Sequence, residues 1–297
     1  MRIKRSIGDI IFDVLNYSLL TLLSLFTLYP FIYVFSMSVS NKEAVLGMRV
    51  RLLPIGFSLE SVYKALETAG LSQAYLNTIW YVVMGTLVAT TVTFTMAYAL
   101  SRRNFFMRKF LSVYVIITML FNGGLIPLFM VVRGLGLNNT RWTVIVMGAC
   151  SVWNLMITRV FIERNIPESL IESARIDGYN DISIFVKIVL PLSKQILAII
   201  SMFNAVGFWN QYFTSMVFAP KENLKPLQIL LMEILLQNKL MESAQQTLDS
   251  QLAGQRMLYL MQVKYVVILF AIVPIMCVYP FVQKYFVKGV MIGAIKE

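Results

Sequence analysis

Six stretches of this chain run without one charged residue: 14–41, 68–101, 110–132, 142–158, 195–220 and 265–283. A helix needs about 20 apolar residues to cross roughly 30 Å of hydrocarbon. Five of the windows reach that length, and the fourth, with 17 residues, reaches it by continuing past Arg159 through Val160 to Ile162. A soluble fold would have to bury all six in one core. With 58% hydrophobic and only 14% charged residues, against about 25% charged in globular proteins, the chain cannot do so. The pattern predicts an all-α integral membrane bundle of six helices, at about 15–39, 75–100, 110–132, 142–162, 195–219 and 265–286.

Short loops give the orientation. The segment "SRRNFFMRK" after the second span carries Arg102, Arg103, Arg108 and Lys109, whereas "RGLGLNNTR" after the third carries only Arg133 and Arg141. Arg2, Lys4 and Arg5 precede the first span. Cationic short loops stay in the cytoplasm, so both termini are expected inside. The first window is too long for a signal-peptide core and no small-residue cleavage site follows it, so it should remain as a span. The loops at about 41–74 and 221–264 then fall outside, and about 163–194 falls inside. The net charge of +11 is thereby a topology signal, and nucleic acid is not an expected partner. No domain boundary is visible; residues 1–297 read as one membrane domain.

What the chain lacks excludes several functions. It has no histidine, and Cys150 and Cys277 both lie in expected spans, so neither a disulfide framework nor a cysteine–histidine metal site is expected. The six windows hold no Asp or Glu, the residues that ion-driven carriers bury at mid-membrane. Arg159 lies near a span end and is expected to snorkel to water. A phosphate-binding G-x-x-x-x-G-K-[ST] loop is absent, and "LAGQR" at 252–256 lacks a glycine of the transport-ATPase signature it echoes. Uphill transport would need energy from another chain, and enzyme activity is not expected.

One polar stretch interrupts this pattern: "IESARIDGYNDISIFVKIVLP", residues 171–191. Pro167 suits a first helical turn and Glu168 favours a helix start. The helix should stop at Gly178, which tolerates positive φ. A second helix restarts with Asn180 or Asp181 as cap, and Pro191 ends or kinks it. The reading is helix, tight turn, helix at the cytoplasmic surface.

The spacing Glu172-Ser173-Ala174, three residues, Gly178, nine residues, Ile188-Val189-Leu190-Pro191 resembles the EAA motif of ABC importer membrane subunits, E-A-A-x3-G-x9-I-x-L-P, with Ser173 for the middle alanine. The tail "QKYFVKGVMIGAIKE" is similar to that of maltose-type sugar permeases, with Glu297 where glycine is usual. Within that branch, "NGGLIPLFMVVRGLGLNNTRW" and "KPLQILLMEILLQN" resemble the LplC/YtcP group, associated with complex oligosaccharides, often pectin- or alginate-like. The resemblance implies the type I ABC importer permease fold. It also implies that Glu172, Ala174, Asp177 and Gly178 seat a coupling helix in a cytoplasmic ATPase, with Ser173, Ile188, Leu190 and Pro191 completing the motif. The implied partners are a second homologous permease subunit, two ATPase subunits, and an extracellular solute-binding lipoprotein or periplasmic binding protein. ATP and Mg are used by the ATPase and no cofactor is bound by this chain.

Sugars are bound by aromatic faces and neutral hydrogen-bonding groups. Within the spans the candidates are Asn122, Trp153, Asn154, Trp209, Asn210 and Tyr212. Each has a structural alternative, since asparagines glue helices together and tryptophans mark interfaces. Gly123, Gly124 and Pro127, together with Pro30, Pro274 and Pro280, read either as hinges or as tolerated kinks. "LQILLMEILL" in the last outer loop has helical spacing. The expected function is an ATP-driven sugar-importer permease. A permease for another solute such as peptides, or a membrane scaffold or receptor without transport, are the alternatives.

Overall fold

In the computed structural model, residues 6–67, 70–244, 261, 263–280 and 283 are described, and every regular element among them is helical. The elements are α1 (Ile7–Ser38), α2 (Lys42–Leu46), α3 (Glu60–Glu67), α4 (Leu71–Ser101), α5 (Arg108–Leu120), α6 (Leu125–Gly134), α7 (Arg141–Gly148) and α8 (Val152–Asn165). There follow α9 (Glu168–Ile176), α10 (Asp181–Ile184), a π turn (Phe185–Val189), α11 (Leu190–Leu192), α12 (Lys194–Asn210), α13 (Phe213–Phe218), a 3-10 turn (Glu222–Leu224) and α14 (Leu227–Ala244). The helix Val263–Pro280 is numbered α15. The tail beyond Pro280, Gln283 excepted, the segment "LAGQR" and the cations of residues 2–5 lie outside the described residues.

The chain forms two compact units, Met1–Ala69 with Leu231–Val273 and Gly70–Leu230 with Pro274–Glu297. In the first unit, α1 exposes its apolar side chains along almost its whole length, as a lipid-facing helix does. The hydroxyls of Ser24 and Thr27 donate back to the carbonyls of Leu20 and Leu23, which removes their need for water. Pro30 lies inside α1 without interrupting it, so this proline is a tolerated one. The end of α1 is covered: Met37 packs with Ala44, Val45 and Val50, flanked by Tyr33 and Tyr265.

The second unit is organised around α4. Gly85, Ala89, Thr93, Ala97 and Ser101 recur every four residues and are all buried, which makes one face of small side chains. α12, α8 and α7 pack against α4. In lipid, apolar surface gains nothing by leaving one hydrocarbon for another, so helices associate by close approach and hydrogen bonding. A small-residue stripe allows the first. The second is supplied by Asn204 of α12, which donates to Thr90 at 3.2 Å and accepts from Asn154 of α8 at 2.9 Å, all three buried.

Three helical stretches in this unit are broken. α5 gives way to α6 across 121–124, where Gly124 has φ +87°, as the glycines and Pro127 of that segment suggest. α7 and α8 meet at 47°, and the stretch Asp181–Leu192 meets α12 at 85°; α12 and α13 are separated at Gln211 and Tyr212. Beyond α13, Asn77 donates to the carbonyls of Asn223 and Lys225, and Tyr81 to that of Leu224. "LQILLMEILL" forms the start of α14, as its spacing predicts.

The Phe208 ring lies between α4 and α7, where a β-carbon placed on either Gly85 or Gly148 would come within 2.6 Å of it. Gly148→Ala should therefore overpack this slot and cost about 1–3 kcal/mol. Thermal unfolding of the purified protein should show a fall of several degrees, which a second change, Phe208→Leu, partly restores. An unchanged transition in Gly148→Ala would contradict this packing.

Candidate functional site

The polar stretch folds as a hairpin of two helices, and its turn follows from its glycine. Gly178 takes φ +85°. Its N–H donates to the Arg175 carbonyl and that of Tyr179 to the Ala174 carbonyl, both at 3.0 Å. This paired closure is the Schellman arrangement, which satisfies carbonyls orphaned at the end of α9. The Asn180 side chain then accepts from the Ser183 N–H at 2.8 Å and caps α10, so the cap is Asn180. Pro167 stands one position ahead of α9, as its N-cap residue. Arg175 donates to Asp181 at 2.9 Å across the turn, and that carboxylate holds the guanidinium further above its already high range. The π turn overlaps Lys187, whose carbonyl an α-helix would set against the ring of Pro191. Pro191 is followed by the sharp bend into α12.

The hairpin has two different faces. Ile171, Ala174, Ile184 and Val189 are buried in one cluster with Ala97, Tyr98 and Leu100 of α4 and Leu155 and Ile162 of α8. Glu172, Ser173, Asp177 and Gly178 are exposed. So are Ile176 and Ile182, at 88% and 76% of their surface. The structure thus separates the motif. Ala174 points inward, into the apolar cluster. Ile188 and Leu190 are partly covered, packing against apolar clusters, and Pro191 is exposed.

Charged groups reinforce the seat. Arg102, buried beside the Tyr98 ring at 5.3 Å, lies 3.8 Å from the Glu168 carboxylate at the start of α9. Glu163 accepts from Arg108 and Arg159, each at 3.0 Å. Arg159 also donates to Ser112 at 2.9 Å. It is therefore held in an intramolecular network.

A cavity of about 280 Å³ lies elsewhere in this unit, where the α7–α8 and α12–α13 breaks approach one another. Ser151, Asn154, Asn204, Gln211 and Thr214 give it a neutral polar lining, with Phe203 and Phe208 beside them. Broken helices at membrane depth are tolerated where their backbone lines such a space. Of the residues picked from sequence, only Asn154 lines the cavity. Trp209 is buried, with Tyr75 edge-on at 6.2 Å. Asn122, Trp153, Asn210 and Tyr212 are exposed, and Asn122 accepts from the Gly124 N–H at 2.9 Å. The polar lining residues missed were Ser151, Asn204, Gln211 and Thr214. For Asn204 the lone asparagine within "AIISMFNAVG" was the available signal; the other three gave none.

The sequence matches the family described as binding-protein-dependent transport system inner membrane component over residues 89–292. The chain belongs to this family. Its relatives in the family include the polygalacturonan/rhamnogalacturonan transport system permease protein YtcP of Bacillus subtilis (strain 168), 38% identical over 96% of this chain and 98% of that one. Protein LplC of the same strain is 35% identical over 96% of this chain and 95% of its own length. A chain in the crystal structure of a bacterial ABC transporter involved in the import of the acidic polysaccharide alginate has the same fold. It is 35% identical, with a TM-score of 0.83, covering 95% of this chain and 99% of that one. As a member of the binding-protein-dependent transport family, the chain is a multi-pass permease subunit of an ABC importer.

Two substitutions probe the hairpin of this permease. Gly178→Ala forces a side chain into the left-handed region, at about 1–2 kcal/mol, and Asn180→Ala removes a cap worth about 1 kcal/mol. Amide hydrogen exchange across 170–184 should speed up by roughly fivefold or more in either variant. Exchange at the wild-type rate in both would contradict the turn described here.

Proposed function

We propose that the chain crosses the bacterial cell membrane six times with both termini in the cytoplasm, and that the α9–α10 hairpin docks a cytoplasmic ATPase. In this reading the cargo is a sugar or complex oligosaccharide, as the names of its relatives and of the alginate importer suggest. A second homologous permease subunit completes the pathway, two ATPase subunits use ATP and Mg, and an extracellular binding protein delivers the sugar. The single observation that carries the docking role is the two-faced hairpin. Its inner face is locked into the bundle, while Ile176 and Ile182 stand exposed beside Glu172 and Asp177.

Exposed aliphatic anchors with acidic neighbours suit a partner surface. Apolar contact supplies affinity, and the charges fix the register. When the ATPases close on ATP, the hairpins follow and the two permease subunits rock to open outward. After hydrolysis they part and the pathway reopens inward. The permease contributes no free energy; it links two states between which the nucleotide discriminates. The neutral cavity between the broken helices fits hydroxyl-bearing cargo, offering hydrogen bonds from Gln211, Thr214 and Ser151 and the ring of Phe203.

Glu172→Lys and Gly178→Pro should each leave the chain inserted in the membrane while weakening ATPase co-purification and abolishing ATP-dependent uptake in reconstituted vesicles. Wild-type uptake by either variant would overturn the docking role. Uptake of peptides but of no oligosaccharide would replace the cargo.

A further inference from the structure

The loop between α4 and α5 borders a cleft of about 650 Å³ that the transport reading does not use. Arg103, Arg108, Lys109 and Arg159 line it together with Phe105 and Phe106. The carboxylate nearest these cations is that of Glu163, which Arg108 and Arg159 share. Arg103 and Lys109 are exposed, and neither is ion-paired among the described residues. Four cations thus face one carboxylate, a local excess of positive charge that repels itself unless an anion enters.

The cleft also sits at a boundary. α4 is apolar up to Ser101, and α5 turns apolar within one turn of Arg108, so the loop marks where the helices leave the hydrocarbon. Below the cations α5 carries an exposed apolar ridge, Phe110 at 66% and Val113 at 56%, and the Phe106 ring stands 97% exposed at the rim. An exposed phenylalanine is disfavoured in water and favoured at the membrane interface. Basic pockets between transmembrane helices suit anionic lipid head groups.

We infer that this cleft binds the head group of an anionic phospholipid, with its acyl chains against Phe110 and Val113. Arg108 and Arg159 form a fixed floor, since Arg108 also donates to the Leu100 carbonyl at 3.0 Å and Arg159 to Ser112 at 2.9 Å. Arg103 and Lys109 close on the phosphate from the rim. A free phosphate would use the cations and leave the ridge bare, whereas a lipid satisfies both. The same Arg108–Glu163–Arg159 floor ties α5 to α8, whose end leads into the hairpin, so a bound lipid steadies the bundle next to the ATPase contact. This inference rests on α4 and α5 being membrane helices, and not on the hairpin's docking role.

The test uses the full chain co-purified with its partner subunits from nanodiscs of mixed phosphatidylglycerol and phosphatidylcholine, with retained lipids counted by mass spectrometry. Phosphatidylglycerol should be enriched over its bulk share. In the double variant Arg103→Gln, Lys109→Gln that enrichment should fall by about tenfold or more. The charge-keeping pair Arg103→Lys, Lys109→Arg should retain it, which separates loss of charge from loss of folding. Enrichment unchanged in the glutamine pair, or absent from the wild type, would overturn the site. Displacement by inorganic phosphate at millimolar concentration would reduce it to a simple anion site and overturn the lipid assignment. If the glutamine pair kept its lipids but lost the ATPase, the occupant would be an acidic protein surface. Uptake is not the readout, so failure here leaves the transport reading standing.

Discussion

In the docking role proposed for it, the hairpin must be stiffer than the motion it would carry, and its stiffness comes from an apolar clamp. Ile171 and Ile184 of the hairpin, with Val189 just behind it, are fully buried against α4 and α8. Burial of each is worth about 1.5–3 kcal/mol. The ion pair between Arg102 and Glu168 is 3.8 Å long and the glutamate is 40% exposed, so it adds well under 1 kcal/mol after solvent screening. Burial holds the hairpin, and the charges set its angle. Because α9 is clamped from below and closed by its glycine turn, residues on its outward face can differ without loosening the seat.

Between the long apolar helices of the same unit the logic changes. Apolar burial no longer discriminates between protein and lipid, so close approach and polar satisfaction take over. The α4 stripe from Gly85 to Ser101 supplies the first. The buried relay of Asn154, Asn204 and Thr90 supplies the second. The breaks at 149–151 and 211–212 border the cavity, where the carbonyls and amides they release need not face lipid. The neutral polar cavity and the weak points of the helices thus share one place, as expected when irregular backbone is allowed only beside a polar space.

Much of this was legible in the sequence, for identifiable reasons. Long uncharged windows mark the apolar helices because charge is what hydrocarbon excludes. The turn at Gly178 was readable because it needs a conformation that glycine supplies most cheaply, and the cap at Asn180 was one of two candidates. What sequence did not give was direction. Ala174 belongs to the motif but faces inward, and only the packing of α9 decides this. The cavity was nearly invisible for the same reason. Trp153, Asn210 and Tyr212 have suitable chemistry yet are exposed, whereas Asn204 joins the lining through its place on α12 opposite α8. The 47° bend between α7 and α8 had no proline to announce it.

The most direct measurement of the central claim is site-specific cross-linking to the ATPase, in a chain carrying Cys150→Ser and Cys277→Ser. A cysteine introduced by Ile176→Cys should capture the ATPase, with a yield that changes between the nucleotide-free and ATP-bound states. The inward Ala174→Cys should capture none. Capture from 174 but not from 176, or labelling of Ile176→Cys by an impermeant reagent applied only outside intact cells, would contradict the account.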